Sequence, residues 1–565
     1  MRGDILMDAL QELPSKGQTF SSIRRQNLLY VDKTRSIHEA IRTGGCCFLS
    51  RPRRFGKSLL LGTMAEIFRG RRELFQGLWI GSPECGYDFR KYSVLHLSMG
   101  VECQNETVLE SSIITELKGA ARANGIKTIE GFSPGNVLKN LVYSILDHKT
   151  ETEDAEAEKV VVLVDEYDAP ILGVIDDVDQ AIRNRKVLHG FYSALKTLSD
   201  LGYVHFMFVT GLTKFAKASV FSVFNNLKDL TLDPEYADIC GFTVPEFDAH
   251  MAAYLPLALE NSRSIGDVPR QTSLGKFREM VLGFYDGYSW DGRTMVLNPF
   301  SLINFLDQKE LISFWYNSGT PTFLVDLIRE NLFAFVKSET YSMSKTALEA
   351  VDVGDLKLVP LLFQTGYLTV DKRVGAREYT LREPNREVSE ALNNHVLESL
   401  IHKGEREVKA WRKKIGASLD ALDAAGLAGT LTEILREIPH EIHEPLEHYY
   451  QSVIHSFLKA WGFRVLAEER RGEGRVGLTL VFSDSRVFLF ELKHEKLSDP
   501  KDPTDQKAMD RFMAARERLK AKALGAAKAQ MGNRGHADKH GDRPVTVHRV
   551  ALGLVGRTAA CAEIY

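Results

Sequence analysis

Three consecutive segments, CCFLS, RPRRFGKS and LLLGTMAEIF (residues 46–68), constrain this chain more than any other part of it. They read as a buried strand, a tight loop and a helix. That order turns backbone N–H groups inward and points a helix N-terminus at an anion. Gly56 allows close backbone approach, Lys57 can reach the β and γ phosphates of a nucleotide, and Ser58 can ligate magnesium through its hydroxyl. Arg53, Arg54 and Phe55 complete the loop, with both arginines beside the expected phosphates. The common spacing, G-x-x-x-x-G-K-[ST], starts with a glycine, and Arg51 stands at that position. Gly-Lys-Ser alone would also suit an ordinary strand-to-helix turn with a solvated lysine.

A second element sharpens the reading. In KVVVLVDEYD an apolar run ends in Asp165 and Glu166, which places two carboxylates at the C-terminal end of a buried strand, where α/β sheets bind ligands. Asp165 suits magnesium, usually through water, and Glu166 suits orienting or deprotonating an attacking water. A further apolar run, HFMFVTG, ends near Thr210, a candidate polar sensor of the γ phosphate and equally an ordinary strand-end threonine. The runs Cys46–Ser50, Val94–Ser98, Val160–Val164 and Val204–Val209 alternate with helical patterns, predicting an α/β fold with a parallel sheet covered by helices.

The 565 residues suffice for roughly three to five domains. With 72 Lys and Arg against 75 Asp and Glu, the net charge of −3 gives no general bias toward nucleic acid, so any basic surface must be local. The N-terminus lacks an apolar signal-peptide core and no segment gives about 18 uninterrupted apolar residues, so a soluble, cytoplasmic protein with no membrane partner is expected. The six cysteines show no disulfide or zinc spacing and read as reduced thiols. Residues 1–240 read as the nucleotide-binding domain and 241–394 as a helical extension with a winged-helix-like unit near Leu361–Val388. A helical linker over 395–438 and a second α/β domain over 439–565 follow. Glu151–Glu158 reads as an acidic surface insertion.

The segments YVDKT (Tyr30–Thr34), RPRRFGKSLLL (Arg51–Leu61), LVDEYDAPIL (Leu163–Leu172), TGLTKFAKASVFSVFNNLKDLTL (Thr210–Leu232), GFT (Gly241–Thr243), DGY (Asp286–Tyr288) and NPFSL (Asn298–Leu302) span much of the chain. Together they resemble the bacterial AAA-ATPase-like proteins that carry a C-terminal PD-(D/E)XK nuclease-like domain. Arginine at the first loop position is itself part of that family's RPRRFGKS motif. The resemblance implies a P-loop ATPase of the additional-strand type that uses ATP and Mg2+, and a restriction-endonuclease-like C-terminal fold. It is compatible with an oligomer, although the sequence shows no matched interface and no candidate arginine finger.

Metal-dependent phosphodiester cleavage needs clustered carboxylates and a lysine. FLFELKHEK supplies Glu491, a candidate metal ligand, and Lys493, which share one strand face because side chains alternate with period two. Glu-x-Lys on a strand is common by itself. The segments Glu447–Tyr450 to Trp461–Phe463, the Gly474–Arg475 turn and Ala526–Gln530 resemble the nuclease-like region in order. Where the family reads G-R-x-D, however, this chain reads Gly474-Arg475-Val476-Gly477, and magnesium affinity should fall. Glu447, Glu468, Glu469 and Glu473 are possible substitutes, but strand geometry does not place them there by default. Between Arg511 and Arg549 ten Lys or Arg face three Asp or Glu, which suits either salt-dependent DNA binding or a solvated helix face.

The expected function is an ATP-hydrolysing protein whose nucleotide state controls a nuclease-like, DNA-interacting domain. The alternative is a nucleotide-dependent regulatory or scaffold protein whose nuclease-like domain does not cleave.

Overall fold

The computed structural model describes residues 10–150, 159–215, 224, 227–315, 324, 327, 341–349, 351–353, 356–375, 377–400, 405–437, 447–460, 463–467, 478–483, 486–497, 506–532, 546–556 and 558–564. The acidic run Glu151–Glu158 and the residues Glu468, Glu469 and Glu473 to Gly477 lie outside them. The chain divides into two compact units: residues 1–319 with 340–387, and residues 320–339 with 388–565.

Unit 1 is built on five parallel strands, β1 (Gly45–Ser50), β2 (Ser93–Ser98), β3 (Val160–Asp165), β4 (Val204–Gly211) and β5 (Leu227–Asp229), in the order β2-β3-β4-β1-β5. The expected α/β class and parallel sheet are present, and four strands fall on the anticipated apolar runs. All six residues of β3 are buried, as a strand covered by helices on both faces requires. Three long helices are α4 (Glu106–Ala123), α5 (Pro134–Thr150) and α6 (Val178–Asp200), which follow α1 (Phe20–Arg25), α2 (Thr34–Thr43) and α3 (Lys57–Phe68) in the chain. Asn105 and Asp177 begin α4 and α6 by accepting bonds from Val108 N and Gln180 N, which satisfies otherwise orphaned helix donors.

The helices α7 (Val244–His250), α8 (Leu255–Ile265), α9 (Leu274–Tyr285) and α10 (Pro299–Gln308) enclose a core that includes Phe247, Leu259, Phe277, Tyr285 and Phe305. Leu29 and Val31 enter this same core, so the segment leading to the sheet is packed against the helical region. Thr243 and Glu246 form a reciprocal capping box at the start of α7. Beyond it, β6 (Tyr341–Ser344), β7 (Thr369–Val374) and β8 (Glu378–Arg382) form an antiparallel sheet of order β6-β8-β7, accompanied by α11 (Lys345–Glu349) and α12 (Leu358–Thr365).

The helices of unit 2 include α13 (Glu405–Asp420), α14 (Ala424–Glu437) and α15 (Glu447–Ala460), preceded in the chain by a helix over Arg386–Leu400. Its sheet combines β9 (Arg464–Ala467), β10 (Leu478–Ser483), β11 (Arg486–Glu495), β12 (Thr546–Val555) and β13 (Thr558–Ile564) in the order β13-β12-β11-β10-β9. Only β11 and β12 run parallel, and α16 (Gln506–Gly532) lies between them in the chain, as a parallel connection demands. A Cβ at Gly553 of β12 would lie 2.8 Å from the backbone nitrogen of Leu524 in α16. Glycine therefore lets helix and strand approach at that point.

Gly553→Val is expected to lower the stability of unit 2 by about 1–3 kcal/mol through overpacking. Urea unfolding followed with a probe in β12 would check this; an unchanged midpoint would mean that the helix moves aside without cost.

Candidate functional site

The loop between β1 and α3 is shaped by two residues with positive φ, Arg54 at 69° and Gly56 at 87°. Nothing lies within 4 Å of where a Cβ on Gly56 would stand, so the space before the helix N-terminus is open. Lys57 is the first residue of α3 and its side chain is buried. Its ammonium donates to the carbonyls of Arg51 at 2.9 Å and Pro52 at 3.0 Å. Burial pushes its pKa down, opposed by the carboxylates of Asp165 and Asp168. Ser58 is exposed on the first turn of the helix.

Arg51 explains its own presence. It is fully buried, donating from Nη1 to the carbonyls of Ser50 at 2.9 Å and Thr231 at 3.0 Å, and from Nη2 to that of Tyr236 at 3.0 Å. Its guanidinium lies 4.0 Å from the centre of the Trp290 ring, a cation–π contact whose desolvation favours it. Burial pulls its pKa down to about 10, which leaves it charged at neutral pH. The loop thus loses a glycine and gains a tether to the segment after β5. Phe55 is buried as well, with its ring edge-on to Tyr288 at 4.7 Å and Trp290 at 5.4 Å. Arg53 is exposed, whereas Arg54 stacks over Phe300 at 4.8 Å.

At the end of β3, Asp165 accepts from the Thr210 hydroxyl at 2.6 Å and from the Glu166 backbone N–H at 3.0 Å. Both bonds use Oδ1. Thr210 is completely buried, so its hydroxyl orients this carboxylate across the β3–β4 pair. Glu166 takes a left-handed conformation at φ 52°, a sparsely populated region for a side-chain-bearing residue and one that clusters at functional sites. Burial, then the neighbouring Asp165, raises its pKa. A Cβ on Gly100 would come within 2.3 Å of Glu166 Oε2, so this carboxylate rests against the chain just beyond β2.

Asp168 was not singled out by its sequence context, yet it braces the same strand ends. Buried in the chain, it accepts from Leu212 N at 3.1 Å, from Thr213 N at 2.6 Å and from the Thr213 hydroxyl at 2.6 Å. The Tyr167 hydroxyl adds a bond to Thr213 O at 2.9 Å. Arg53, Arg54, Phe55, Gly56, Lys57, Ser58 and Glu166 all line one cleft of about 1160 Å3, whose other walls include Gln18, Val31, Met251 and Phe300. The hydroxyl of Ser58 and the carboxylate of Asp165 are hard oxygen donors of the type magnesium takes, and the open cradle at Gly56 leaves space for phosphate.

Glu491 and Lys493 of β11 come together as expected for one strand face. Their charged groups lie 3.5 Å apart, with Glu491 almost fully buried. They pair in register with Ala551 and Gly553 of β12. Among the described residues no group of three or more His, Cys, Asp or Glu is placed to hold a metal ion.

Residues 15–221 match the family described as predicted AAA-ATPase. Over 559 residues, 96% of each chain, this protein is 34% identical to an uncharacterized protein in the vnfD 5' region of Azotobacter chroococcum mcd 1. The chain belongs to the same family as this Azotobacter protein, and its residues 15–221 carry a predicted AAA-ATPase-like domain. No solved structure matches it. The matched AAA-ATPase-like region contains the loop, β3 and the Asp165–Thr210 pair, and the loop and Glu166 within it line the cleft. Among the described residues, no helix is long and apolar enough to cross a membrane.

Arg51→Gly, which restores the common loop spacing, is expected to weaken nucleotide binding and cost at least about 3 kcal/mol of stability. It removes the donor from the carbonyls of Ser50, Thr231 and Tyr236, of which the last keeps a bond from Ile239 N, and it removes the indole contact. Urea unfolding and titration with a fluorescent ATP analogue test this; tighter binding by the variant would exclude the tether.

Proposed function

We propose that the chain is an ATP-driven switch in which unit 1 binds and hydrolyses ATP and its nucleotide state controls a nuclease-like, DNA-interacting unit 2. The observation that carries the first half is the convergence of Lys57, Ser58 and Glu166 on one cleft, with Asp165 oriented behind them by Thr210. The position of β4 between β1 and β3 supports the additional-strand type.

In this reading the two carbonyls that hold the Lys57 ammonium preorganise it, and phosphate oxygens compete for its donors as the nucleotide enters. The inward N–H groups of the loop and the N-terminus of α3 take up further phosphate charge. Magnesium, held by Ser58 and Asp165, would neutralise charge on the β and γ oxygens. Glu166 orients the attacking water and accepts its proton. The raised pKa of its carboxyl improves it as a base near neutral pH.

For unit 2, the strand order β13-β12-β11-β10-β9 with a parallel β11–β12 pair and the Glu491–Lys493 pair support a nuclease-like fold. Gly477 in place of the expected aspartate favours a second reading, a scaffold or regulatory protein whose unit 2 binds without cutting. The close Glu491–Lys493 pair fits that reading too, because each charge already has a neutralising partner.

Glu166→Gln is expected to keep ATP binding and lower turnover about 10²- to 10⁴-fold, while Lys57→Ala loses binding itself. Equal phosphate release by Glu166→Gln and wild type would remove Glu166 from its role. The acid limb of wild-type turnover should lie above the ordinary glutamate value of 4.5, because only ionised Glu166 accepts a proton and its burial favours the neutral form. Activity therefore falls as pH decreases through that raised value; a limb at or below the ordinary value contradicts the environment assigned to Glu166.

Magnesium-dependent cleavage of single-stranded, duplex and branched DNA, with and without ATP, separates the two readings of unit 2. Cleavage by wild type that disappears in Lys493→Ala supports a nuclease. Cleavage only after Gly477→Asp supports a decayed nuclease retained for binding.

A further inference from the structure

We infer that the outward face of α16 is a docking surface for the phosphate backbone of duplex DNA. This rests on, and deepens, the reading of unit 2 as a DNA-interacting body. Lys507, Arg511, Arg518 and Lys522 follow one another at spacings of four, seven and four residues, and all four are exposed. At 3.6 residues per turn these spacings return to one side of the helix. Ala523 and Ala527, both fully buried, mark the opposite side. The stripe is therefore set directly away from the packed face.

What lies between the cations matters as much as the cations do. Ala514, Gly525 and Ala529 occupy the same outward side and are exposed, so small side chains leave the helix free to approach a flat, charged backbone closely. The two acids of α16, Asp510 and Glu517, project from its flank rather than from the stripe. Glu517 is engaged by Lys520 at 2.7 Å. Lys522 lies 3.0 Å from the half-buried Glu495 of β11, but the lysine itself is exposed, so the pair contributes little and can exchange for phosphate.

From Lys507 to Lys522 the helix rises about 22 Å. Duplex DNA presents one negative charge per roughly 1.7 Å of axis, so the stripe can address phosphates throughout that length. Single strands are commonly gripped by stacking bases on aromatic rings, and the stripe offers none. Charge complementarity with smooth, small-residue spacing thus favours a duplex backbone read without regard to sequence.

The test uses the full chain and a fluorescent duplex of about 30 base pairs and arbitrary sequence, with anisotropy measured between about 50 and 200 mM KCl. The variant replaces Lys507, Arg511, Arg518 and Lys522 together by Gln. A control replaces Arg71, Lys118, Arg122 and Lys186, four exposed cations of unit 1, by Gln. Wild type and control should bind with the same steep salt dependence, and the α16 variant should lose about three to four units of the slope of log affinity against log salt. Its ATP binding and helical circular dichroism should match wild type, so misfolding cannot account for the loss.

Equal slopes for wild type and the α16 variant overturn the assignment to α16 while leaving DNA binding by unit 2 intact. Failure of wild type to bind the duplex overturns both this surface and the DNA-interacting reading. Binding of phosphatidylserine vesicles or polyglutamate in preference to the duplex overturns the choice of partner.

Discussion

A guanidinium held by three carbonyl oxygens and an indole ring fixes the loop on which the cleft depends. Arg51 joins the end of β1 to Thr231 and Tyr236 beyond β5, and its Nη1 also closes on the adjacent Ser50 carbonyl. A permanently charged, planar donor suits this position because it can satisfy several carbonyls at once without a proton to lose near neutral pH. The Arg51 backbone carbonyl in turn holds the Lys57 ammonium. One residue therefore works in two directions: its side chain anchors the loop to the sheet edge, and its main chain poises the lysine at the helix start.

Behind Glu166, which lines the cleft, the strand ends work with the same economy. Adjacent parallel strands present their C-terminal ends together, so Thr210 of β4 can reach Asp165 of β3, and the chain after β4 can close on Asp168. Asp168 is a buried carboxylate whose pKa burial raises, and its bonds to Leu212 and Thr213 oppose that rise. The bracing leaves Glu166 at the turn between two anchored neighbours. Its left-handed backbone is tolerable there because the residues on either side over-determine it.

Much of this was legible in the sequence because buried parallel strands write themselves as apolar runs. The runs ending at Ser50, Ser98, Val164 and Val209 each became a strand, and the order of strand, loop and helix around Gly56 located the cleft. β5 was not legible: Leu227, Lys228 and Asp229 are only partly buried and carry no apolar signal, so their place beside β1 follows from the tertiary fold. Asp168 and Gly100 were equally silent. A carboxylate three residues beyond Asp165 reads as surface until the bonds to Leu212 and Thr213 are known, and a glycine reveals its use only when Glu166 lies where its Cβ would be. Arg51 looked like a departure from a pattern, whereas its bonds make it a substitute for glycine's flexibility by fixed anchorage.

In unit 2 the period-two rule was enough to put Glu491 and Lys493 on one face, but their function depends on what completes the charge balance. A glutamate with a lysine at 3.5 Å is nearly neutral as a pair, so a dication would gain less from it than from clustered carboxylates. Aspartate at position 477 would add the charge that glycine cannot. The basic stripe of α16 needs no such completion, since phosphate attraction depends on summed positive charge and not on a fixed ligand number. Binding to a polyanion and cutting it therefore make separable demands on this chain, and in the proposed reading of unit 2 the glycine at position 477 bears on the second and not on the first.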